Sequence, residues 1–131
     1  MSIKVLNPEK DYVLLPLTKG EGYAKAIIWP GMGAKHGTMN YIYMKAGAEN
    51  VPHVHPTQED MFYVVQGSGV VVDCDQNIEY QFKKGDFVYI PPGVTHTVIS
   101  HGPEDYISVG GPCPVDKNVY PEELIADKKG Q

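Results

Sequence analysis

The sequence predicts an all-β protein, a sandwich or barrel built from short strands. Eight or more short segments rich in β-branched and aromatic residues follow one another along the 131 residues. Glycine and proline turns separate these segments, and no stretch between them shows the 3.6-residue periodicity of a helix. Regularly spaced short strands of this kind are typical of sandwiches and barrels. Residues 1–131 are predicted to form one domain, since this length closes one hydrophobic core but not two.

The strands are predicted between two less regular ends. Residues 1–20 form an N-terminal arm, in which Pro8 and Pro16 interrupt short apolar runs; such an arm often covers a sheet edge. The barrel is predicted over residues 23–110. Residues 115–131 form a C-terminal tail, where Pro121 and the acids after it predict the start of a short helix. The predicted strand segments are 23–29, 38–44, 61–65, 70–72, 78–82, 87–90, 94–99 and 106–109.

The segment at 38–44 carries two candidate catalytic residues, Tyr41 and Tyr43. In a strand they share one face, and Asn40 and Ile42 share the other. Whichever face looks inward contributes the floor of a pocket, and the pattern leaves both choices open. A tyrosine hydroxyl on the inner face can bind substrate or act as a general acid or base. The alternative is that these rings pack at the edge of the core.

The stretch from Gly47 to Gly67 predicts half of a metal site. His53 and His55 are separated by one residue, so an extended backbone turns both imidazoles to the same face. Two acidic residues, Glu59 and Asp60, follow just before an apolar run. Imidazole and carboxylate ligands suit Fe, Mn, Ni, Zn or Co better than calcium. Taken alone, a pair of histidines at this spacing more commonly lies on a surface loop.

A second stretch, from Gly85 to Ser100, supplies a third imidazole. The bend at 91–93, Pro-Pro-Gly, follows a short apolar strand, because proline fixes φ and glycine accepts positive φ. His96 comes three residues after Gly93, inside a β-branched run. A histidine at this position comes from a different strand than His53 and His55.

Together the two stretches resemble the paired motifs of the cupin superfamily. The first family motif is Gly, five residues, His-x-His, three or four residues, Glu, six residues, Gly. The second is Gly, five residues, Pro-x-Gly, two residues, His, three residues, Asn, and Ser100 stands here at the Asn position. The resemblance implies a double-stranded β-helix, or jelly-roll, barrel with a divalent transition metal inside. It implies that His53, His55, an acid and His96 hold the ion.

The acid is where this sequence departs from the family pattern. Six residues separate Asp60 from Gly67, as the motif requires, whereas Glu59 is the glutamate and lies one place earlier. A one-residue slip turns a strand side chain to the opposite face, so register favours Asp60. A β-bulge near Gln58 would instead turn Glu59 inward. A third alternative is that both acids are solvated at the start of the strand.

Composition excludes several function classes. The formal net charge of −5, without any arginine, argues against nucleic-acid binding. No apolar run reaches the length that spans a bilayer, and the N-terminus lacks a signal-peptide core, so we expect a cytoplasmic protein. Two cysteines do not define a disulfide framework. The unpaired arm and the sheet edges suggest a homodimer, the commonest assembly.

Three functions fit these observations. The first is a metal-dependent enzyme, an oxygenase or a lyase/isomerase, acting on a small organic substrate inside the barrel. The second is a non-catalytic barrel that binds or senses a small molecule. The third is a barrel with an empty site whose histidines are structural. An intact set of three histidines disfavours the empty site, and the enzyme is preferred over the binder, although the fold alone does not select a reaction.

Overall fold

The computed structural model describes residues 2–120, which fold into two β-sheets as the sequence predicts. A short 3-10 turn at Pro30–Met32 interrupts an otherwise all-β chain in this range. The strands of the described residues are β1 Val13–Leu15, β2 Thr18–Lys19, β3 Gly22–Ile28, β4 Met39–Met44, β5 Glu49–Asn50, β6 Glu59–Gln66, β7 Ser68–Asp73, β8 Ile78–Lys83, β9 Phe87–Ile90, β10 His96–Ser100 and β11 Tyr106–Cys113.

The chain crosses repeatedly between the two sheets. Six strands form one sheet in the order β1-β3-β4-β11-β6-β9, and five form the other in the order β2-β5-β10-β7-β8. The neighbouring strands of these sheets pair antiparallel. The last three strands alternate from the first sheet to the second and back. This order is the jelly-roll arrangement that the motifs imply, and it brings β6 and β10, both carrying predicted ligands, into opposite walls.

Two apolar clusters hold the sheets together. Burial of this much apolar surface is the main favourable term in folding. The first cluster joins strands of both sheets and contains Met44, Ala48, Val64, Val71, Phe82, Ile90, Val98 and Tyr106. The second joins the N-terminal arm to the last described residues and contains Leu15, Ala24, Ala26, Trp29 and Tyr120.

The N-terminal arm is more regular than predicted. It contains β1 and β2, which pair with β3 and β5 and so add an edge strand to each sheet. Leu15 is buried in the second cluster, while its neighbour Leu14 is 58% exposed. The alternation of these two side chains explains the strand, because pairing with β3 lets one face of the arm join the core.

The strand β8 is more exposed than its alternating pattern predicts. Of the three apolar residues at alternate positions, only Phe82 is buried, while Ile78 is 40% and Tyr80 is 55% exposed. β8 and β9 are the edge strands at the opposite ends of the two sheets from β1 and β2, and a groove of about 610 Å³ lies between them. Because the sandwich is open along this groove, Tyr80, which lines it, has no facing strand to cover it.

The barrel ends later than predicted. β11 continues to Cys113, four residues beyond the predicted segment, and pairs there with the start of β6. The chain then turns back over residues 115–120. The short helix predicted from Pro121 lies outside the described residues. Within residues 2–120, the structure has no helix of the length and hydropathy that would cross a membrane.

Candidate metal centre

Four side chains from three parts of the chain meet inside the barrel. His53 and His55 precede β6, Asp60 lies in β6, and His96 begins β10. One potential ligand atom from each of the four residues lies within 4.8 Å of the others. His55, Asp60 and His96 are buried, and His53 is partly buried. The predicted convergence of His96 with the His-x-His pair is therefore present in the structure.

Backbone hydrogen bonds bring the two motifs together. The N–H of His53 donates to the carbonyl of His96 at 3.0 Å, and the N–H of His96 donates back to His53 at 2.9 Å. The N–H of Gly93 donates to the carbonyl of His55 at 2.9 Å. Gly93 has a φ of +83°, a conformation that glycine adopts without steric cost. The Pro-Pro-Gly bend thus attaches to the first motif and sets the start of β10.

In each of the three histidines of the cluster, Nδ1 lies within hydrogen-bond distance of an oxygen acceptor. Nδ1 of His53 lies 2.7 Å from the Val51 carbonyl, and Nδ1 of His96 lies 2.9 Å from the Val94 carbonyl. Nδ1 of His55 lies 2.7 Å from Oδ2 of Asp116. These acceptors place the proton on Nδ1 and leave a lone pair on each Nε2. This is the arrangement found around metal-binding histidines, whose second nitrogen donates to an outer acceptor.

The Nε2 atoms and the Asp60 carboxylate have the separations of ligands around one ion. Oδ2 of Asp60 lies 3.3 Å from Nε2 of His55 and 3.4 Å from Nε2 of His96. Bonds of about 2.1 Å to a tetrahedral ion place neighbouring ligands about 3.4 Å apart. Nε2 of His55 is buried without a hydrogen-bond partner, so its distance to Asp60 is not an aligned bond. The donor set therefore fits a transition metal ion, which would occupy the point where these atoms converge.

Burial and neighbouring charges shift the pKa values of three residues of the cluster. Burial lowers the pKa of His53 below 6.5. Burial would also lower the pKa of His55, but the carboxylates of Asp60 and Asp116 raise it above 6.5. Burial would raise the pKa of Asp60, yet His55 and His96 hold it well below its usual range. Asp60 is therefore an ionised donor, as a metal ligand must be.

Register, and not a bulge, decides between the two acids. Asp60 pairs with Pro112 of β11 and with Ile90 of β9 in regular register, and its side chain points inward. Glu59 lies on the exposed face, where its carboxylate accepts a hydrogen bond from the Tyr89 hydroxyl. The alternation of a regular strand therefore brings Asp60 to the cluster and leaves Glu59 outside it.

The candidate catalytic tyrosines lie on the other face of β4. The inner face carries Asn40 and Ile42, which line the cavity beside the cluster. Tyr43 donates from its hydroxyl to Asp105 at 2.7 Å, and this bond raises the pKa of Tyr43 to about 12. Tyr41 shares that outer face, between Asn40 and Ile42 in the strand. The structure therefore does not bring Tyr41 or Tyr43 to the cluster.

The tyrosine that lines the cavity is Tyr106, which sequence reasoning missed. It begins β11, is 1% exposed, and lines a cavity of about 40 Å³ with the four cluster residues. Burial raises its pKa, and the neighbouring Ser108 offsets only part of that rise. Nothing in the local pattern separates this tyrosine from the other eight. Only the pairing of β11 with β4 and β6 turns it inward.

Asp116 is the second residue that sequence reasoning missed. It follows β11 in a turn, is 1% exposed, and holds His55 through a carboxylate 61 positions away in sequence. Its sequence context, Asp-Lys-Asn after Pro-Val, is typical of a surface turn in which aspartate binds the backbone. Asp116 does accept the N–H of Asn118, at 2.8 Å, so this aspartate binds the backbone of the turn as such a sequence usually does. Its other carboxylate oxygen, Oδ2, contacts His55, and the local sequence pattern does not predict this contact.

Comparison with known proteins gives the family and the fold. The family model of the Cupin domain matches residues 40–109, which include both motifs. An uncharacterized protein of Methanocaldococcus jannaschii is 27% identical over 104 residues, 78% of this chain and 81% of that protein.

Two solved structures illustrate the similarity of fold. One, a predicted oxalate decarboxylase from Thermotoga maritima, has a TM-score of 0.71 at 18% identity, over 86% of this chain and 100% of that one. The other, the polyketide cyclase RemF from Streptomyces resistomycificus, has a TM-score of 0.70 at 21% identity, over 86% and 80% of the two chains. At these identities the likeness concerns the fold alone. The family match spans more than half of the sequence and confirms the resemblance drawn from its motifs, so this chain belongs to the cupin family.

Proposed function

We propose that this chain is a metal-dependent enzyme acting on a small organic substrate, by oxygenase or by lyase/isomerase chemistry. The ion is a divalent transition metal, one of Fe, Mn, Ni, Zn and Co, held by four side chains: His53, His55, Asp60 and His96. One observation carries the proposal. Three histidines have Nδ1 committed to an acceptor, and the Nε2 atoms of His55 and His96 lie 3.3 and 3.4 Å from one ionised carboxylate. Buried lone pairs facing a carboxylate are costly unless a cation lies between them.

The chain's own residues supply the rest of a reactive site. A bound ion of this kind polarises a carbonyl or lowers the pKa of a water molecule. Tyr106 holds its phenolic proton because burial raises its pKa, so its hydroxyl donates a hydrogen bond or a proton into the cavity. Ile42, Phe62 and Val98 form apolar walls that exclude bulk water. Because the walls around the cluster are apolar, the charges of the cluster act more strongly on a bound molecule than they would in water.

The similar structures support an enzyme without selecting a reaction. Two of them are described as enzymes, a predicted oxalate decarboxylase and a polyketide cyclase. Their reactions differ, so the shared fold does not identify the substrate of this chain.

The cavity as it stands is compatible with a second candidate, a barrel that binds or senses a ligand of only a few atoms without turning it over. The space beside the cluster is about 40 Å³. It has room for about two or three water-sized ligands beside the donors. Organic ligands usually occupy pockets of about 300–1,000 Å³, so a substrate would require the walls to move.

The first experiment is elemental analysis of the freshly purified chain, followed by activity measurements. We expect about one divalent ion per chain, since four donors converge on one point. His96→Ala should lose the ion. His101→Ala is the matched control, because His101 is exposed and follows the same strand. Equal metal content in both variants would contradict the site.

The activity test separates the enzyme from the binder. The metal-loaded protein is assayed for dioxygen consumption and for turnover of a panel of carbonyl compounds and sugars. Iron in the purified protein would direct attention to dioxygen, and zinc or nickel to lyase or isomerase reactions. If the loaded protein neither consumes dioxygen nor converts any member of the panel, the binder is the better description.

We also propose that the chain forms a homodimer. An apolar surface on the outer face of β6 and β9 supports this assembly. Phe87 is 82%, Tyr89 57% and Met61 41% exposed there. Exposed apolar patches of this kind mark interaction sites. A monomeric mass in light scattering at micromolar concentration would rule the dimer out.

A further inference from the structure

The turn after β11 holds a carboxylate against the candidate metal centre. Asp116 is 1% exposed, and both of its oxygens are engaged. Oδ2 lies 2.7 Å from Nδ1 of His55, and Oδ1 accepts the N–H of Asn118 at 2.8 Å. Its carbonyl accepts the N–H groups of Val119, at 3.1 Å, and Tyr120, at 3.0 Å. The turn thus fixes the carboxylate, and the carboxylate fixes the His55 ring.

His55 differs from the other two histidines in the kind of acceptor that it meets. His53 and His96 each face a neutral carbonyl two residues earlier in the chain. A carboxylate is a stronger acceptor than a carbonyl, and bonds to ionised groups are about twice as strong as neutral ones. A histidine that donates to a carboxylate is a more basic ligand. His55 should therefore be the strongest imidazole donor of the three.

A charge count gives Asp116 a second role. The three imidazoles are neutral when they ligate, and Asp60 contributes one negative charge. A divalent ion among these four donors leaves one positive charge uncompensated in a buried place, which is costly. Asp116 is the buried carboxylate next to the cluster, and its charge brings the sum to zero.

We propose that Asp116 is a positioning residue of the metal centre: it orients His55 and balances the second positive charge of a divalent ion. The inference rests on the metal-binding function proposed above and adds a residue outside the two family motifs. It also gives the site a preference for ions of charge +2 over +3, since only the former is neutralised.

The same turn closes the cavity, so metal binding and closure are linked. Val119 lines the cavity of about 40 Å³ beside the cluster. The Tyr120 hydroxyl donates to Oδ1 of Asn40 at 2.6 Å, and its ring stacks on Trp29 with centroids 6.1 Å apart. An ion that tightens the bond between His55 and Asp116 should therefore also tighten the turn over residues 115–120.

The test measures Zn²⁺ affinity, by competition with a chelator, in full-length variants. Asp116→Ala removes the acceptor and the charge, and it should weaken binding by about 10–100-fold. Asp116→Asn keeps an acceptor oxygen and loses only the charge, so its loss should be smaller. Asp86→Ala is the matched control, because Asp86 also accepts a backbone N–H in a turn, from Lys83 at 2.9 Å. The control should bind Zn²⁺ within about twofold of the parent chain.

Two readouts separate positioning from mere support of the fold. The ¹⁵N spectrum of the zinc-loaded parent should show the His55 Nδ1–H as a strong hydrogen-bond donor, and Asp116→Ala should lose this signal. Zn²⁺ should slow amide exchange at Val119 and Tyr120 in the parent and not in Asp116→Ala. If Asp116→Ala does not fold, Asp116→Asn carries the affinity and spectral measurements.

The outcomes distinguish this inference from the proposed function. If the parent chain binds no divalent ion, the metal centre itself is wrong. If the parent binds Zn²⁺ and both Asp116 variants bind it within twofold of the parent, the centre stands and the role of Asp116 is refuted. A loss of the same size in Asp86→Ala would likewise refute it.

Discussion

Lowering the pH should weaken divalent metal binding, and the structure indicates which histidine causes most of the loss. A proton competes with the ion for each imidazole, because only the neutral ring ligates. The carboxylates of Asp60 and Asp116 raise the pKa of His55 above 6.5, against the effect of burial. Burial lowers the pKa of His53 below 6.5. His55 therefore carries a proton that the ion must displace at a pH where His53 is already neutral.

The expected loss follows from the competition of one proton at His55. The apparent affinity falls by a factor of one plus ten to the power of the pKa minus the pH. With a pKa at the ordinary value of 6.5, this factor rises from about 1.1 at pH 7.5 to about 11 at pH 5.5. A raised pKa increases the ratio, up to about 100-fold over two pH units. Zn²⁺ binding should thus weaken by about 10–100-fold from His55 alone, and His53 adds less than about tenfold.

Asp60 does not contribute to this loss. Despite burial, His55 and His96 hold its pKa well below its usual range, so Asp60 stays ionised from pH 7.5 to 5.5. Its charge would be lost only at lower pH, as the pH falls through its folded-state pKa. The loss of affinity should therefore begin above pH 6.5 and become steepest once the pH has fallen below the pKa of His55, and it should not wait for the titration of Asp60.

The assay is Zn²⁺ competition with a chelator of known proton affinity, at pH 7.5, 6.5 and 5.5. A double variant, His36→Gln with His101→Gln, is the control, because both histidines are exposed and outside the cluster. It should show the same pH dependence as the parent chain. A dissociation constant that changes less than twofold between pH 7.5 and 5.5 would refute the assignment of His55 as a ligand.

Four further substitutions test the site residue by residue. Asp60→Ala should weaken Zn²⁺ binding by more than about 100-fold, which is the upper end of the loss caused by removing a residue that only supports a ligand. Glu59→Ala should change Zn²⁺ affinity by less than about twofold. A larger loss in Glu59→Ala than in Asp60→Ala would mean that a bulge turns Glu59 inward. Tyr43→Phe should lower the urea midpoint of unfolding only slightly, because the side chain loses one hydrogen bond to Asp105, and turnover should not change. A loss of kcat would return Tyr43 to the site. Tyr106→Phe should lower kcat about 10²-fold or more while Zn²⁺ affinity stays constant; unchanged kcat would remove Tyr106 from the reaction.

Local sequence predicted the strands and the two ligand motifs. Strand alternation has a period of two, so His53 and His55 share a face wherever the strand lies. The position of Asp60 followed from counting back from Gly67, whose φ of +92° ends β6 at a fixed residue. The spacing from the Pro-Pro-Gly bend likewise predicted His96 as the third imidazole. These features depend on a few neighbouring residues, and the structure confirms the resulting cupin fold.

Which face of a strand looks inward was not predictable, because it depends on what packs against the strand from across the sandwich. Tyr43 and Ile42 both read as core residues of β4 until the pairing with β3 and β11 turns Ile42 to the cavity. Tyr80 reads as half-buried, yet it is 55% exposed because the sandwich is open beside β8. Burial is a property of what lies across the sheet, and alternation fixes only which residues share a face.

The sequence by itself determined an all-β chain, its turn positions and three histidines with the spacing of a metal site. Only the tertiary structure decided that no bulge turns Glu59 inward in place of Asp60, that Tyr106 lines the cavity and that Asp116 holds His55. The physical reason is the separation of the partners along the chain. Asp116 meets His55 across 61 positions, and such a contact forms only when the turn after β11 folds back onto the barrel.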